Sequence, residues 1–215
     1  MKKIAALFDF DGTLARGDSA APFALFVLRH RPGGILHLPW LSLLLAGYAA
    51  GRVSKKHMKT AMLSLLANSD RERIERLAED FWKRVLQPRL FAQGLQRVAW
   101  HRQQGHLLVL ATASVDVYME VARRELDFDV LVATRTDGAT PPAVTGDNCY
   151  GEEKVSRLRQ EQFFPEVDWS ASFAYSDHVS DAPLLELCGH QLAVNPHRPL
   201  KHLAGSKGWP VAYWR

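Results

Sequence analysis

The chain has 215 residues, 47% hydrophobic and 23% charged, an ordinary globular mix that excludes a disordered chain, a collagen and a coiled coil and suits one domain with at most a modest insertion. Lys+Arg 27 against Asp+Glu 23 gives a net charge of +4, too small to require nucleic acid but suited to an anionic ligand. The two cysteines, Cys149 and Cys188, cannot build a disulfide framework and are read as packed thiols of a reducing compartment. The first apolar run is stopped by Asp9 and Asp11, so no secretory leader is expected and the predicted location is cytoplasmic.

In chain order, Lys3–Phe8 reads as a short buried strand that runs into Asp9-Phe10-Asp11-Gly12-Thr13. From Asp18 to about Arg89 there is no good strand. Helical patterns near Ala20–Arg29, Ile35–Ala50, Ser54–Leu66 and Asp70–Leu86 are punctuated by Pro32-Gly33-Gly34, Gly51 and Asn68-Ser69. Gly105–Ala111 is a second buried strand, followed by polar Thr112-Ala113-Ser114 and a helix over Val115–Leu126. Leu131–Ala133, Ser172–Tyr175 and Leu192–Val194 are further strands. A helix is expected near Ser180–Leu187, and Thr136–Asn148 is read as a hairpin or loop. Strands alternating with helices predict an α/β fold: a Rossmann-like parallel sheet with helices on both faces and a small all-helical cap inserted after the first strand. The expected division is a core of 1–16 and 90–215 and a cap of 17–89. Ligands of such sheets sit at the carboxyl ends of the strands.

The polar residues fall at those ends. Asp9 and Asp11 are two apart on extended chain and so face one site. A lone Asp-x-Asp also makes turns and helix caps. Thr112 follows the second strand beside small residues whose amides can approach an anion. Lys154 opens a helix after Gly151-Glu152-Glu153, Asp177 ends the fourth strand, and Asp181 lies on the first turn of the next helix. Clustered carboxylates with backbone carbonyls form a hard oxygen site suited to Mg²⁺.

The motifs FDFDGTL (8–14), LATAS (110–114), GEEKVSRL (151–158) and YSDHVSDAPLL (175–185) resemble the haloacid dehalogenase superfamily of phosphatases. The helical insertion resembles the cap of the subgroup that contains phosphoserine phosphatases. The resemblance implies a Mg²⁺-dependent phosphomonoesterase that forms an aspartyl-phosphate. In it Asp9 is the nucleophile and Asp11 the general acid/base. Thr112, Ala113 and Lys154 bind the phosphoryl group, while Asp9, the Asp11 carbonyl and Asp177 hold the metal and Asp181 supports them. A phosphotransferase or mutase on the same core, and a catalytically idle binding module, are the rival readings.

For substrate recognition, Asp18, Arg52 and Lys59 are the candidates, with a helix N-cap as the other reading of Asp18. The subgroup's cap arginine that clamps a substrate carboxylate aligns with Thr60, which departs from phosphoserine chemistry. The YSD-x-x-x-D form and Gly208-Trp209-Pro210-Val211 resemble histidinol-phosphate phosphatases, whereas the apolar stretch 34–50 resembles that of phosphatidylglycerophosphate phosphatases. That stretch is read as a buried cap helix or a dimer face, with peripheral membrane contact as the alternative. The basic residues around it (Arg29, His30, Arg31, Arg52, Lys55, Lys56 and Lys59) are read as a solvated face that would also suit anionic lipid. The expected partner is a small phosphorylated substrate, without nucleic acid.

Overall fold

In the computed structural model the described residues are 2–30 and 38–215. The Pro32-Gly33-Gly34 break, Arg31 and the start of the apolar stretch, 34–37, lie outside them. Six parallel strands run in the order β3-β2-β1-β4-β5-β6. They are β1 (Ala5–Phe8), β2 (Leu107–Val115), β3 (Val130–Thr134), β4 (Phe173–Ser176), β5 (His190–Val194) and β6 (Val211–Ala212). β1 is buried along its whole length, as a strand covered on both faces must be, which explains its unbroken apolar sequence. Alternate side chains separate into two cores: Ala6 and Phe8 join one, Ala5 and Leu7 the other. β6 has only two residues, too few to show a period, and was not expected.

Among the described residues, four α-helices follow β1 within 17–89: α1 (Ala20–His30), α2 (Leu38–Ala49), α3 (Lys55–Ser64) and α4 (Arg71–Phe81). Ser54 caps α3 and Asp70 caps α4, each accepting from a backbone N–H of the first turn. The expected single helix over 70–86 is broken. After Phe81 the chain widens into a π turn, Trp82–Leu86, then tightens into a 3-10 turn over Gln87–Arg89. Pro88, within that 3-10 turn, has no N–H to continue a helix. Next come α5 (Ala92–Gln103), α6 (Asp116–Glu125), α7 (Glu152–Gln160), α8 (Ala182–Leu187) and α9 (Arg198–Lys207).

The helical insertion is tied to the sheet by aromatic packing. Phe81 of α4 meets Phe23 of α1 at 5.0 Å and Tyr118 of α6 at 5.3 Å between ring centroids, both edge-on. All three rings are buried. On its outer side α2 differs: Leu43 is 74% exposed and Trp40 42%, so the reading of 34–50 as a buried helix fails along that face. Both cysteines are buried and free. Burial pushes their thiols up, to about 11 for Cys149 and about 12 for Cys188, in keeping with packed rather than reactive sulfurs.

The β2 prediction stopped at Ala111, but the strand continues to Val115 across an irregularity between Ala111 and Val115. The ladder opens there, so the backbone of Thr112-Ala113-Ser114 is not consumed by β3.

Two outcomes follow. Phe81→Ala should cost about 3–5 kcal/mol, read by denaturant unfolding. His101 is buried between the Tyr175 hydroxyl and His106, each 2.7 Å away. Burial, then His106 and Arg97, lower it from 6.5 to about 3. The folded state therefore refuses a proton that the unfolded state accepts, and this contribution is present above pH 6.5 and lost as pH falls from 6.5 toward 3. His101→Phe should flatten the wild-type loss of stability over that range. An unchanged slope would refute the assignment.

Candidate active site

β1 delivers Asp9 to the carboxyl edge of the sheet, where its N–H still bonds the Tyr175 carbonyl at 3.0 Å. The chain then turns at Gly12, with φ +79°. A Cβ on Gly12 would lie 2.1 Å from Asp177 Oδ2, so only glycine lets the β1 loop and the end of β4 approach this closely. The Thr13 hydroxyl bridges the two loops, 3.3 Å from Asp9 Oδ2 and 3.4 Å from Asp177 Oδ1.

Gly151, at φ +64°, starts α7 and sets Lys154 in its first turn. The ammonium is 2% exposed and donates to Asp9 Oδ1 at 2.7 Å and to Asp181 Oδ2 at 2.8 Å. Asp181 closes a 3-10 turn at the entry to α8 and also accepts from the Ser176 hydroxyl at 2.7 Å. Burial disfavours the ammonium, but the two carboxylates hold Lys154 above its ordinary range.

Asp9, Asp177 and Asp181 thus crowd around one buried ammonium. Burial raises Asp9 to about 6 against the pull of Lys154. Burial, then Asp9 and Asp181, raise Asp177 to about 8. Such values mark a site with more negative charge than its own cation neutralises. Among the described residues no group of three or more His, Cys, Asp or Glu side chains is arranged to hold a metal ion. Two carboxylates, Asp9 and Asp177, do share the Thr13 hydroxyl. With a backbone carbonyl and water they would make the hard oxygen set that fits Mg²⁺.

Asp11 stands apart from this cluster. Its Oδ2 accepts from the Ser114 hydroxyl at 2.7 Å and the Ser19 hydroxyl at 3.0 Å. Its Oδ1 is buried with no hydrogen-bond partner. Burial lifts its pKa to about 7, against the two serine hydrogen bonds. The two neighbouring aspartates therefore differ: one carboxylate is clasped by an ammonium, the other is able to carry a proton. On the opposite wall, the Ser114 N–H donates to Thr112 Oγ1 at 3.1 Å, which leaves the Thr112 hydroxyl hydrogen for an incoming anion.

A cavity of about 800 Å³ opens above these groups. All of Asp9, Asp11, Thr112, Ala113, Lys154, Asp177 and Asp181 line it. Of the three substrate candidates, Asp18 lines the cavity but also accepts from the Ala20 and Ala21 N–H groups at 2.9 and 3.2 Å, the helix cap of its alternative reading. Lys59 reaches from α3 to the Ala113 carbonyl, the Asn148 side chain and, at 3.3 Å, the Thr134 hydroxyl. Arg52 lies outside the cavity, exposed beyond α2.

Several contributors escaped the motif reading. Ser19 and Tyr118 extend the Asp11 network, with hydroxyls 3.1 Å apart. His197 Nε2 is 3.3 Å from Asp177 Oδ2, and its N–H bonds the Asp177 carbonyl at 2.9 Å. Asn195 has a buried Nδ2 with no partner beside the same cavity. Asn195 and His197 follow β5, a position at the same sheet edge that could have flagged them. Ser19 carries no such signal.

Comparison with known proteins bears on the family and the fold. The family model for haloacid dehalogenase-like hydrolases matches residues 6–186. A "probable phosphatase" of Mycobacterium tuberculosis is 28% identical over 97% of this chain and 75% of its own length. A protein of unknown function from Bordetella pertussis Tohama I superposes with TM-score 0.88 at 29% identity, covering 99% of both chains. A phosphoserine phosphatase, solved as an analogue of its phospho-aspartyl intermediate, shares the fold with TM-score 0.65 at 17% identity, over 99% of this chain and 94% of that one.

Lys154→Met should destabilise the protein by about 3–5 kcal/mol at neutral pH, because Asp9 and Asp181 would be left buried without their cation. Thermal unfolding reads this. The loss should shrink as pH is lowered and Asp9 protonates, and a loss constant with pH would contradict it.

Proposed function

The chain belongs to the haloacid dehalogenase-like hydrolase family and is an enzyme of its phosphatase kind, and on that premise we propose that it is a Mg²⁺-dependent phosphomonoesterase working through an aspartyl-phosphate. The observation that carries the proposal is the asymmetry of the aspartate pair. Asp9 is bound to Lys154, while Asp11 has a buried, unpartnered oxygen and a pKa lifted to about 7.

In the proposed reaction the Asp9 carboxylate attacks phosphorus and the bond from phosphorus to the leaving oxygen breaks. Asp11 donates its proton to that oxygen. Water then attacks the phosphoryl group on Asp9, Asp11 takes the water proton, and inorganic phosphate leaves with both aspartates restored. Lys154 and the Thr112 hydroxyl face the growing negative charge, together with the backbone amide of Ala113. Asp9, Asp177 and the Asp11 carbonyl would hold Mg²⁺, which when bound offsets the repulsion between two anionic reactants. Asp181 positions Lys154 through the 2.8 Å contact.

The leaving group is the less constrained half. Histidinol phosphate, a phosphatidylglycerophosphate-like lipid phosphate and a phosphoserine-like metabolite are the candidate substrates. Thr60 stands where the subgroup's carboxylate-clamping arginine would align. The cavity wall from α1 and α3 is formed by Ala20, Ala21, Ala24, Met58 and Met62, with Lys59 as its charged member. The absent guanidinium disfavours an amino-acid carboxylate. Asp18 and Lys59 are the proposed polar contacts. Arg52, outside the cavity, is the weakest of the three candidates. A phosphotransferase differs only in admitting an acceptor other than water to the same intermediate.

Asp9→Asn should abolish phosphate release from an aryl phosphate, and Asp11→Asn should lower kcat about 10²–10⁴-fold. Chelation should silence the wild type and added Mg²⁺ restore it. Wild-type rates in Asp9→Asn would remove the proposed mechanism.

A further inference from the structure

We propose that the exposed apolar face of α2 and the basic residues around it dock on an anionic membrane surface. The inference stands on the outer cap and is independent of the reaction at the carboxylates. α2, Leu38–Ala49, carries no charged side chain, and its hydroxyls are those of Ser42 and Tyr48. A helix that is apolar all round is normally buried. This one presents Pro39, Trp40, Leu43 and Ala46 to solvent, with Leu43 74% and Trp40 42% exposed. Twelve residues extend about 18 Å, against about 30 Å of bilayer hydrocarbon. Among the described residues no helix is long and apolar enough to cross a membrane, and the proposed placement is a helix lying in the interface.

Charge selects the occupant. From Ser19 to Ser69 the sequence contains no aspartate or glutamate, yet besides Lys59, which turns into the cavity, it contains Arg29, Arg31, Arg52, Lys55 and Lys56. Arg29 sits at the end of α1. Arg52 follows α2, its N–H bonded to the Gly47 carbonyl at 2.9 Å, and Lys56 lies in the first turn of α3. Arg29, Arg52 and Lys56 are exposed. Two copies meeting through this face would oppose one acid-free surface with another. An anionic headgroup layer satisfies both the apolar face and the cations at its ends. Trp40 on the exposed side suits the boundary between acyl chains and headgroups.

Co-sedimentation of the whole protein with phosphatidylcholine vesicles, with and without phosphatidylglycerol, tests this. Binding is expected only with phosphatidylglycerol and should fade as salt is raised. Leu43→Glu, remote from the cavity, should weaken it about tenfold or more while leaving aryl phosphate hydrolysis at the wild-type rate. Equal recovery in the supernatant with and without phosphatidylglycerol vesicles would overturn the proposal. So would vesicle binding that Leu43→Glu leaves intact. Analytical ultracentrifugation supplies the remaining arm: a dimer that Leu43→Glu dissociates, without vesicle binding, would make this face an interface between copies and refute the membrane assignment.

Discussion

One buried ammonium holds the site together. Lys154 bonds Asp9 from the β1 loop and Asp181 from the turn before α8, so three distant segments meet on a single charge. No apolar contact could do this. Carboxylates placed this close repel one another, and the segments that carry them would separate without a cation between them. The glycine at position 12 completes the constraint by removing the only side-chain atom that would keep Asp177 away. The sheet supports the arrangement because parallel strands place their carboxyl ends, and hence these loops, on one edge.

The residual charge is as informative as the pairing. Asp177 is raised to about 8 and Asp11 to about 7, for different reasons. Asp177 is buried and faces Asp9 and Asp181, a crowding that a divalent cation would relieve. Asp11 is lifted chiefly by burial and keeps one oxygen free of partners. A carboxyl held near neutrality beside an ammonium-bound carboxylate is a physical basis for one acting as proton carrier and the other as nucleophile. The Ser114 hydroxyl from β2 and the Ser19 hydroxyl just before α1 bond Asp11, and Ser19 in turn meets Tyr118 of α6, which couples the proton carrier to the helical insertion.

Most of this site was legible in the sequence because its chemistry is local to strand ends. Asp9, Asp11, Thr112, Lys154, Asp177 and Asp181 each follow a recognisable apolar run or open a helix, and the structure gathers all of them around one cavity. Continuous apolar stretches gave β1 and β2, although β2 extends past its apolar part because the ladder resumes beyond the irregularity at Ala111–Val115. What was illegible depends on three dimensions. The π turn after Phe81 follows from packing and Pro88. The Ser19 hydroxyl meets Ser114 across the insertion boundary, with no sequence relation between them. Lys59 has no signature that would announce its reach to the Ala113 carbonyl. The exposed side of α2 could not be separated from a buried one, since a helix with no charged residue and so few polar ones shows no period to indicate which face is covered.

The account rests on Asp9 becoming phosphorylated. Rapid mixing of the protein with an aryl phosphate, followed by acid quench and borohydride reduction, converts an aspartyl-phosphate to homoserine that peptide mass spectrometry can locate. The account predicts homoserine at position 9, with none formed when substrate is omitted. Sustained phosphate release with an unmodified Asp9, or trapping at another residue, would contradict it.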